Sequence, residues 1–265
     1  MLLRAGRRLI DKRNEMALQI HTLQARPDLR PQVFSADFRP PFWPEFMLHD
    51  PASSLYFSPP NFDRYLSFAF ACVVGGKVVG RAFSVPFVFG SPDRVELPND
   101  GWDGVIRWAH TDQQLGRRPT AVSALEISLL PNARGTGTAQ VILAEMKANA
   151  RRHGCSSLFA PVRPNEKHLF PAMSITDYLE LRRPDGLPQD PWLRTHVRAG
   201  GQIIKIAPYA MTIVGTVSDW RRWTGLPLRQ SGSVPVPGAL SQVLMSLEND
   251  VGVYIEPGVW VYHPL

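Results

Sequence analysis

The stretch from Ala121 to Val162 limits the possible folds of this chain more than any other. Ala121 to Leu130 reads as a strand, Pro131 to Gly137 as a glycine turn, and Thr138 to His153 as a helix with Val141, Ile142, Met146 and Ala150 on one face. Gly154 stops that helix, and Ser157 to Val162 reads as the next strand. A strand that runs through glycines straight into a helix converges several backbone N–H groups at the helix N-terminus, where the dipole favours an anion. Glycines at 135 and 137 remove the Cβ atoms that would hold a phosphate away, and Arg134 can add a charge-assisted contact. A turn that needs glycine only for steric reasons is the alternative. The Walker lysine and the three glycines of a dinucleotide fingerprint are both missing from the turn.

Around this unit the pattern is that of one compact domain. Residues 6–24 read as a moderately amphipathic helix, ended by the proline-rich stretch Pro27 to Pro60. Within that stretch, Phe42 to Leu48 could form a short helix whose aromatics pack on the core or wall a pocket. Ser67 to Val74 and Val78 to Val88, joined by Gly75-Gly76-Lys77, predict an antiparallel hairpin, since both glycines accept positive φ. Leu97 to Gly104 reads as a loop, and Val105 to His110 as a short element of undecided type. After Arg163 a polar insertion runs to Asp190, followed by a helix from Pro191 to Ala199 and a strand from Gln202 to Ala207. The predicted parts are an N-terminal helix (1–30), a core (31–215) and a C-terminal extension (216–265) packed on the same domain.

Composition excludes several classes. A 44% hydrophobic fraction over 265 residues can bury a sizeable core. The net charge of +6 comes from scattered arginine pairs such as Arg117-Arg118 and Arg151-Arg152, without the dense basic stripe and interleaved aromatics that suit nucleic acid. A diffuse positive field suits a polyanionic small molecule or is simply a solvated surface. Two cysteines, Cys72 and Cys155, build neither a disulfide framework nor a cysteine-rich metal site, and the seven histidines show no ligand-like spacing. With no signal-peptide core and no long apolar run, the expected location is the cytoplasm, with no membrane partner.

The run Leu125-Glu126-Ile127-Ser128-Leu129-Leu130-Pro131-Asn132-Ala133-Arg134-Gly135-Thr136-Gly137-Thr138-Ala139, with its helix, Gly154 and the strand Leu158 to Val162, resembles the acyl-CoA-binding core of the GNAT acetyltransferases. The family pattern is Gln or Arg, two residues, Gly, one residue, then Gly or Ala; Asn132 departs from it in the first slot. Asp190 to Gly201, Thr216, Trp220 to Gly225 and Tyr254 to Trp260 look like the GNAT domain that some bacterial proteins carry fused to a carbon–nitrogen hydrolase. No hydrolase half follows here, so an acyltransferase acting alone is implied. The implied fold class is α/β (α+β): a central, mixed, mostly antiparallel twisted sheet flanked by helices, with a C-terminal extension.

The resemblance implies acetyl-CoA, or another acyl-CoA, as cosubstrate. A small-molecule amine would attack the thioester directly, and a homodimer remains an option. Ile127, Ser128, Leu129 and Leu130 would pair with the pantetheine arm, Arg134, Gly135, Thr136, Gly137, Thr138 and Ala139 would hold the pyrophosphate, and Asn165 would touch the cofactor. The Leu129 N–H would face the developing oxyanion. Glu126 is the first candidate for the base, with Asp103 and His110 as alternatives; a solvated, outward-facing Glu126 is the other reading. GNAT proteins often carry a tyrosine four residues before the glycine that closes the next helix. That position is His196 here, a candidate imidazolium donor to the leaving thiolate unless it merely packs, with Tyr178 as the alternative. O-acyl transfer, transfer of a longer acyl group and a non-catalytic acyl-CoA-binding module are the competing functions.

Overall fold

The computed structural model describes residues 17–38 and 43–265. The strands are β1 (Gln19–Thr22), β2 (Ala69–Val74), β3 (Lys77–Phe87), β4 (Ala121–Leu129), β5 (Ser157–Val162), β6 (Gln202–Gly215), β7 (Gly232–Val234), β8 (Val243–Ser246) and β9 (Val251–Pro264). The helices are α1 (Arg30–Val33), α2 (Pro51–Phe57), α3 (Gly101–Gln114), α4 (Thr138–Arg152), α5 (Ile175–Glu180), α6 (Pro191–Arg198) and α7 (Val217–Thr224). Among the described residues the strands form one sheet in the order β1-β2-β3-β4-β5-β9-β8-β7, with β6 on the other edge of β9. Every pairing is antiparallel except β4 with β5. This is the mixed, mostly antiparallel sheet that the family resemblance implied.

The expected hairpin forms β2 and β3, with Gly75 and Gly76 at φ 58° and 75°. Two expectations need correction. Where residues 19–22 were expected to be helical, the chain is strand β1, paired with β2 from Gln19↔Val73 to Thr22↔Phe70. Leu18 and Ile20, two positions apart, pack on the apolar layer below, which is a strand period rather than a helical one. Residues 1–16 of that expected helix lie outside the described residues, as does Phe42; from Glu45 to His49 the chain is a 3₁₀ helix that buries Phe46 and Met47. The expected loop from Leu97 to Gly104 ends early, because α3 begins at Gly101 and runs on to Gln114.

The C-terminal residues, expected as an extension, supply β9 inside the sheet. β9 pairs with β5 from Val162↔Val259 to Ser157↔Pro264 on one edge, and with β6 from Gln202↔Tyr262 to Gly215↔Gly252 on the other. Val259, Trp260 and Val261 are fully buried. Helices cover both faces. Val105, Ile106 and Ala109 of α3 pack with Tyr56, Phe83 and Phe87 on one face. Ile142, Leu143 and Met146 of α4 pack with Val122, Ala124, Leu158 and Ala160 on the other. A third cluster gathers Trp220 of α7 with Phe46, Ile213 and Tyr254.

Two features of β4 shape everything that follows. It pairs with β5 only over Ala121–Ser123 against Ser157–Phe159, after which β4 follows β3 and β5 follows β9. The edges of Ala124–Leu129 and Ala160–Val162 therefore part into a cleft. Its register with β3 also slips between Ser84↔Ala124 and Phe83↔Glu126, leaving Leu125 as an extra, bulged residue. Before the bulge Val122 and Ala124 face the α4 layer; after it Ile127 and Leu129 do. The bulge thus reverses the alternation and turns Glu126 and Ser128 to the opposite face.

Candidate active site

The splayed strands open a cleft of about 1140 Å³. At one end lies the glycine turn. Gly135 and Gly137 adopt left-handed φ of 72° and 82°, and a Cβ at either would meet no atom within 4 Å. Both glycines therefore serve backbone conformation and leave open space above the turn. Gly137 is the N-terminal cap of α4, whose first N–H groups have no intrahelical partner by geometry. Gly135, Gly137, Thr138 and Ala139 all line the cleft. Arg134 Nε donates to the Leu129 carbonyl (3.0 Å), which fixes the arginine across the end of β4. Thr136 Oγ1 donates to the Ala133 carbonyl (2.8 Å) and lies 2.7 Å from Thr138 Oγ1, tightening the turn.

Along the floor, Ile127 and Leu129 pack half-buried side chains against the α4 layer and leave backbone on the cleft edge. The Leu130 N–H is spent on the Val79 carbonyl of β3 (2.8 Å). N–H groups alternate along a strand, so that of Leu129 points away from β3 and toward the opening. Glu126 is not a solvated surface carboxylate. Its Oε1 accepts from Arg81 Nε and from Ser128 Oγ, both at 2.7 Å, and the ion pair is about nine-tenths buried in the cleft wall. Ser128, one of the four residues expected to pair with the pantetheine arm like an added strand, gives its hydroxyl to Glu126. Arg81 Nη1 also donates to the Val33 carbonyl (3.1 Å), and the guanidinium lies over the rings of Phe38 and Phe83.

The two expected proton donors are both engaged inside the protein. His196 lines the cleft but is 2% exposed, with Nδ1 at 2.9 Å from His263 Nε2. Burial, then the neighbouring His263, lowers its pKa to about 3, so at neutral pH it is not the imidazolium that the donor role requires. Tyr178 is buried, is not among the cleft-lining residues, and donates to Asp190 Oδ2 (2.9 Å), the residue whose other oxygen caps α6. Desolvation and Asp190 raise its pKa, the wrong direction for a donor at neutral pH. Asn165 lines the cleft, and its carbonyl accepts from His168 Nδ1 (2.8 Å). Asp103 and His110 lie on α3 and are not among the cleft-lining residues.

Sequence reasoning gave no chemical role to Arg81, Arg163 or Glu256, all of which line this cleft. Arg81 and Glu256 each interrupt an apolar strand, the one signal that could have marked them. Arg163 Nε donates to Glu256 Oε2 (2.9 Å), which also accepts from the Tyr254 hydroxyl (2.6 Å), and Arg163 Nη2 donates to the Gly238 carbonyl (2.6 Å). Trp102 lines the cleft and donates from Nε1 to the carbonyl of the bulged Leu125 (3.1 Å). Among the described residues, no group of His, Cys, Asp and Glu is arranged to hold a metal ion, and no helix is long and apolar enough to cross a membrane.

No family model matches the sequence. The arginine N-acetyltransferase avaD of Aspergillus versicolor is 31% identical over 274 residues, covering 93% of this chain and 93% of that protein. Among solved structures, the loading GNATL domain of CurA from Lyngbya majuscula superposes with a TM-score of 0.50 at 16% identity, over 94% of this chain and 96% of that one. The GphF GNAT-like decarboxylase in complex with isobutyryl-CoA gives 0.46 at 16% identity, over 94% and 98%. With nearly a third of its residues shared along almost the whole length of an N-acetyltransferase, and a glycine turn feeding α4 at the mouth of its cleft, the chain belongs to the GNAT superfamily of acyl-CoA N-acyltransferases.

Proposed function

We propose that the chain transfers an acetyl group from acetyl-CoA to the amine of a small cationic amino acid of the arginine class, in the cleft between β4 and β5. The observation that carries this reading is the continuity of the cleft: one opening joins the glycine turn, the free edge of β4 and the Glu126–Arg81 pair. The pyrophosphate would sit on the first N–H groups of α4. The pantetheine arm would run along the exposed backbone of Ile127 to Leu130, with Asn165 on the facing side. A thioester carbonyl near the Leu129 N–H would find a fixed donor for the oxyanion.

Glu126 takes the proton from the attacking amine, directly or through one water, because Arg81 and Ser128 hold its carboxylate in place. A leaving thiol with a pKa of about 8.5 departs as an anion that water can protonate, so the reaction does not depend on His196 or Tyr178. The acceptor class is supported by the activity named for the Aspergillus versicolor relative. It is also supported by the cleft's own chemistry: the carboxylate of Glu45 and the rings of Trp43 and Trp102 suit a cation. Release of free CoA thiol, followed for purified protein with acetyl-CoA and a panel of amines, tests it. Arginine should be preferred over neutral amino acids. CoA binding without turnover of any amine would favour a non-catalytic module instead.

A further inference from the structure

The first turn of α3, Gly101-Trp102-Asp103-Gly104, sits between two irregular strands that wall the cleft. The Trp102 indole holds the carbonyl of Leu125, the residue β4 carries in excess over β3. The next residue reaches the other strand: Asp103 Oδ2 accepts from the Thr212 N–H (3.1 Å), just past the irregularity between Ala207 and Met211 where β6 leaves register with β9. Gly101 lies so close to β6 that a Cβ would stand 2.7 Å from that of Ala210 and 2.9 Å from that of Ala207. Leu125, Glu126, Ala210 and Met211 all line the cleft. Two consecutive side chains therefore hold both irregular walls.

The other oxygen of Asp103, Oδ1, is buried without a hydrogen-bond partner, and so is Oδ1 of Asp50. Asp50 is fully buried and caps α2 through Oδ2, which accepts from the Ser53 N–H (2.6 Å). The two carboxyl groups act on one another. Without a hydrogen between them they repel; with one they bond. Arg107 acts on both, Asp100 acts on Asp103, and these two form an ion pair on α3 and the turn before it. Ser53 and Ala52 of α2 and Thr212 of β6 contribute backbone N–H groups and no charge. Burial dominates and raises both carboxyls above the ordinary carboxylate range, Asp103 more than Asp50.

We propose that Trp102 and Asp103 are positioning residues for acyl transfer. The indole fixes the β4 bulge that turns Glu126 into the cleft. Asp103, joined to Asp50 by one shared proton, fixes the β6 bulge and ties α2 to the same helix turn. The proposal rests on the cleft between β4 and β5 being the catalytic one.

The test is steady-state kinetics of wild type, Trp102→Phe, Asp103→Ala and Asp103→Asn across pH, with CoA affinity measured by calorimetry. Trp102→Phe and Asp103→Ala should lower kcat about 10- to 100-fold, as a displacement on the order of 1 Å does, with CoA affinity unchanged. The amide of Asp103→Asn can accept from Thr212 and donate to Asp50 as the protonated acid does. It should recover most of the kcat lost in Asp103→Ala and remove the alkaline fall in kcat expected of wild type as the carboxyl pair loses its proton. Denaturant unfolding gives a readout independent of turnover. The raised carboxyls hold protons that the unfolded chain releases above 3.8, so their contribution to stability falls as pH rises toward about 8, and Asp103→Asn should flatten that fall. Full kcat in Trp102→Phe, or an unchanged alkaline limb in Asp103→Asn, overturns the proposal. Wild-type protein that binds CoA but turns over no amine sinks the catalytic reading instead, and the shared proton is then decided by the unfolding slopes alone.

Discussion

Glu126 and Arg81 show how a single side chain acquires a role from its neighbours. A lone carboxylate in a cleft wall would be costly to bury; one held by a guanidinium and a hydroxyl keeps its orientation and its place. Glu126→Gln preserves shape and should fold, with kcat reduced about 10²- to 10⁴-fold in a thiol-release assay. Glu126→Ala leaves Arg81 buried without its partner and should also cost about 3–5 kcal/mol in denaturant unfolding. Equal kcat in Glu126→Gln and wild type would remove Glu126 from the chemistry. The histidine pair makes a second prediction at this scale. Burial lowers His196 to about 3 and His263 to about 4, below their ordinary 6.5. Their contribution to stability is thus complete above 6.5 and lost as pH falls toward 4 and 3. His196→Asn should show a shallower loss of stability over that acid range, and an identical slope would mean the pair does not titrate as a buried unit.

At the scale of elements, the unit from β4 through the turn to α4 was legible in the sequence because its signals are local. Glycines, a stop at Gly154 and a helical period fix strand, turn and helix within about forty residues. β1 was misread because four residues carry too little pattern and the basic, apolar run before them resembles a helix. α3 was started too late because Gly101 and Gly104 read as loop residues, whereas they are there for close packing against β6 and the turn before the helix. The glycine turn carries the prediction at this scale. A Val at 137 must take a left-handed φ, at a cost of about 1–2 kcal/mol, and puts a branched side chain into the open space above the turn. Gly137→Val should abolish CoA binding in calorimetry while circular dichroism shows the fold retained; undiminished affinity would move the pyrophosphate elsewhere.

For the whole molecule, the tail is the element on which the sheet closes. β9 joins β5 to β6 and β8, and Trp260 is fully buried, with Nε1 bonded to the Pro98 carbonyl (2.9 Å). A chain ending at residue 250 therefore loses two long ladders and the centre of its sheet. It should fail to give a cooperative unfolding transition, whereas an appended extension would be removable. A stable, CoA-binding truncation would show that β9 is dispensable.

The sequence by itself determined the strand, the glycine turn and the helix that run from β4 into α4, because each is written in neighbouring residues. Tertiary structure alone decided which side chains share the cleft. Arg81 meets Glu126 across 45 positions and Arg163 meets Glu256 across 93, separations over which no period or turn residue carries information. It also decided that Glu126 faces the cleft at all. That depends on one bulged residue, Leu125, whose effect is to reverse every side chain after it. His196 looked like a proton donor by position in its helix, and burial beside His263, at the far end of the chain, made it a neutral core residue. Local pattern fixes backbone, whereas protonation and facing are set by what the rest of the chain brings alongside.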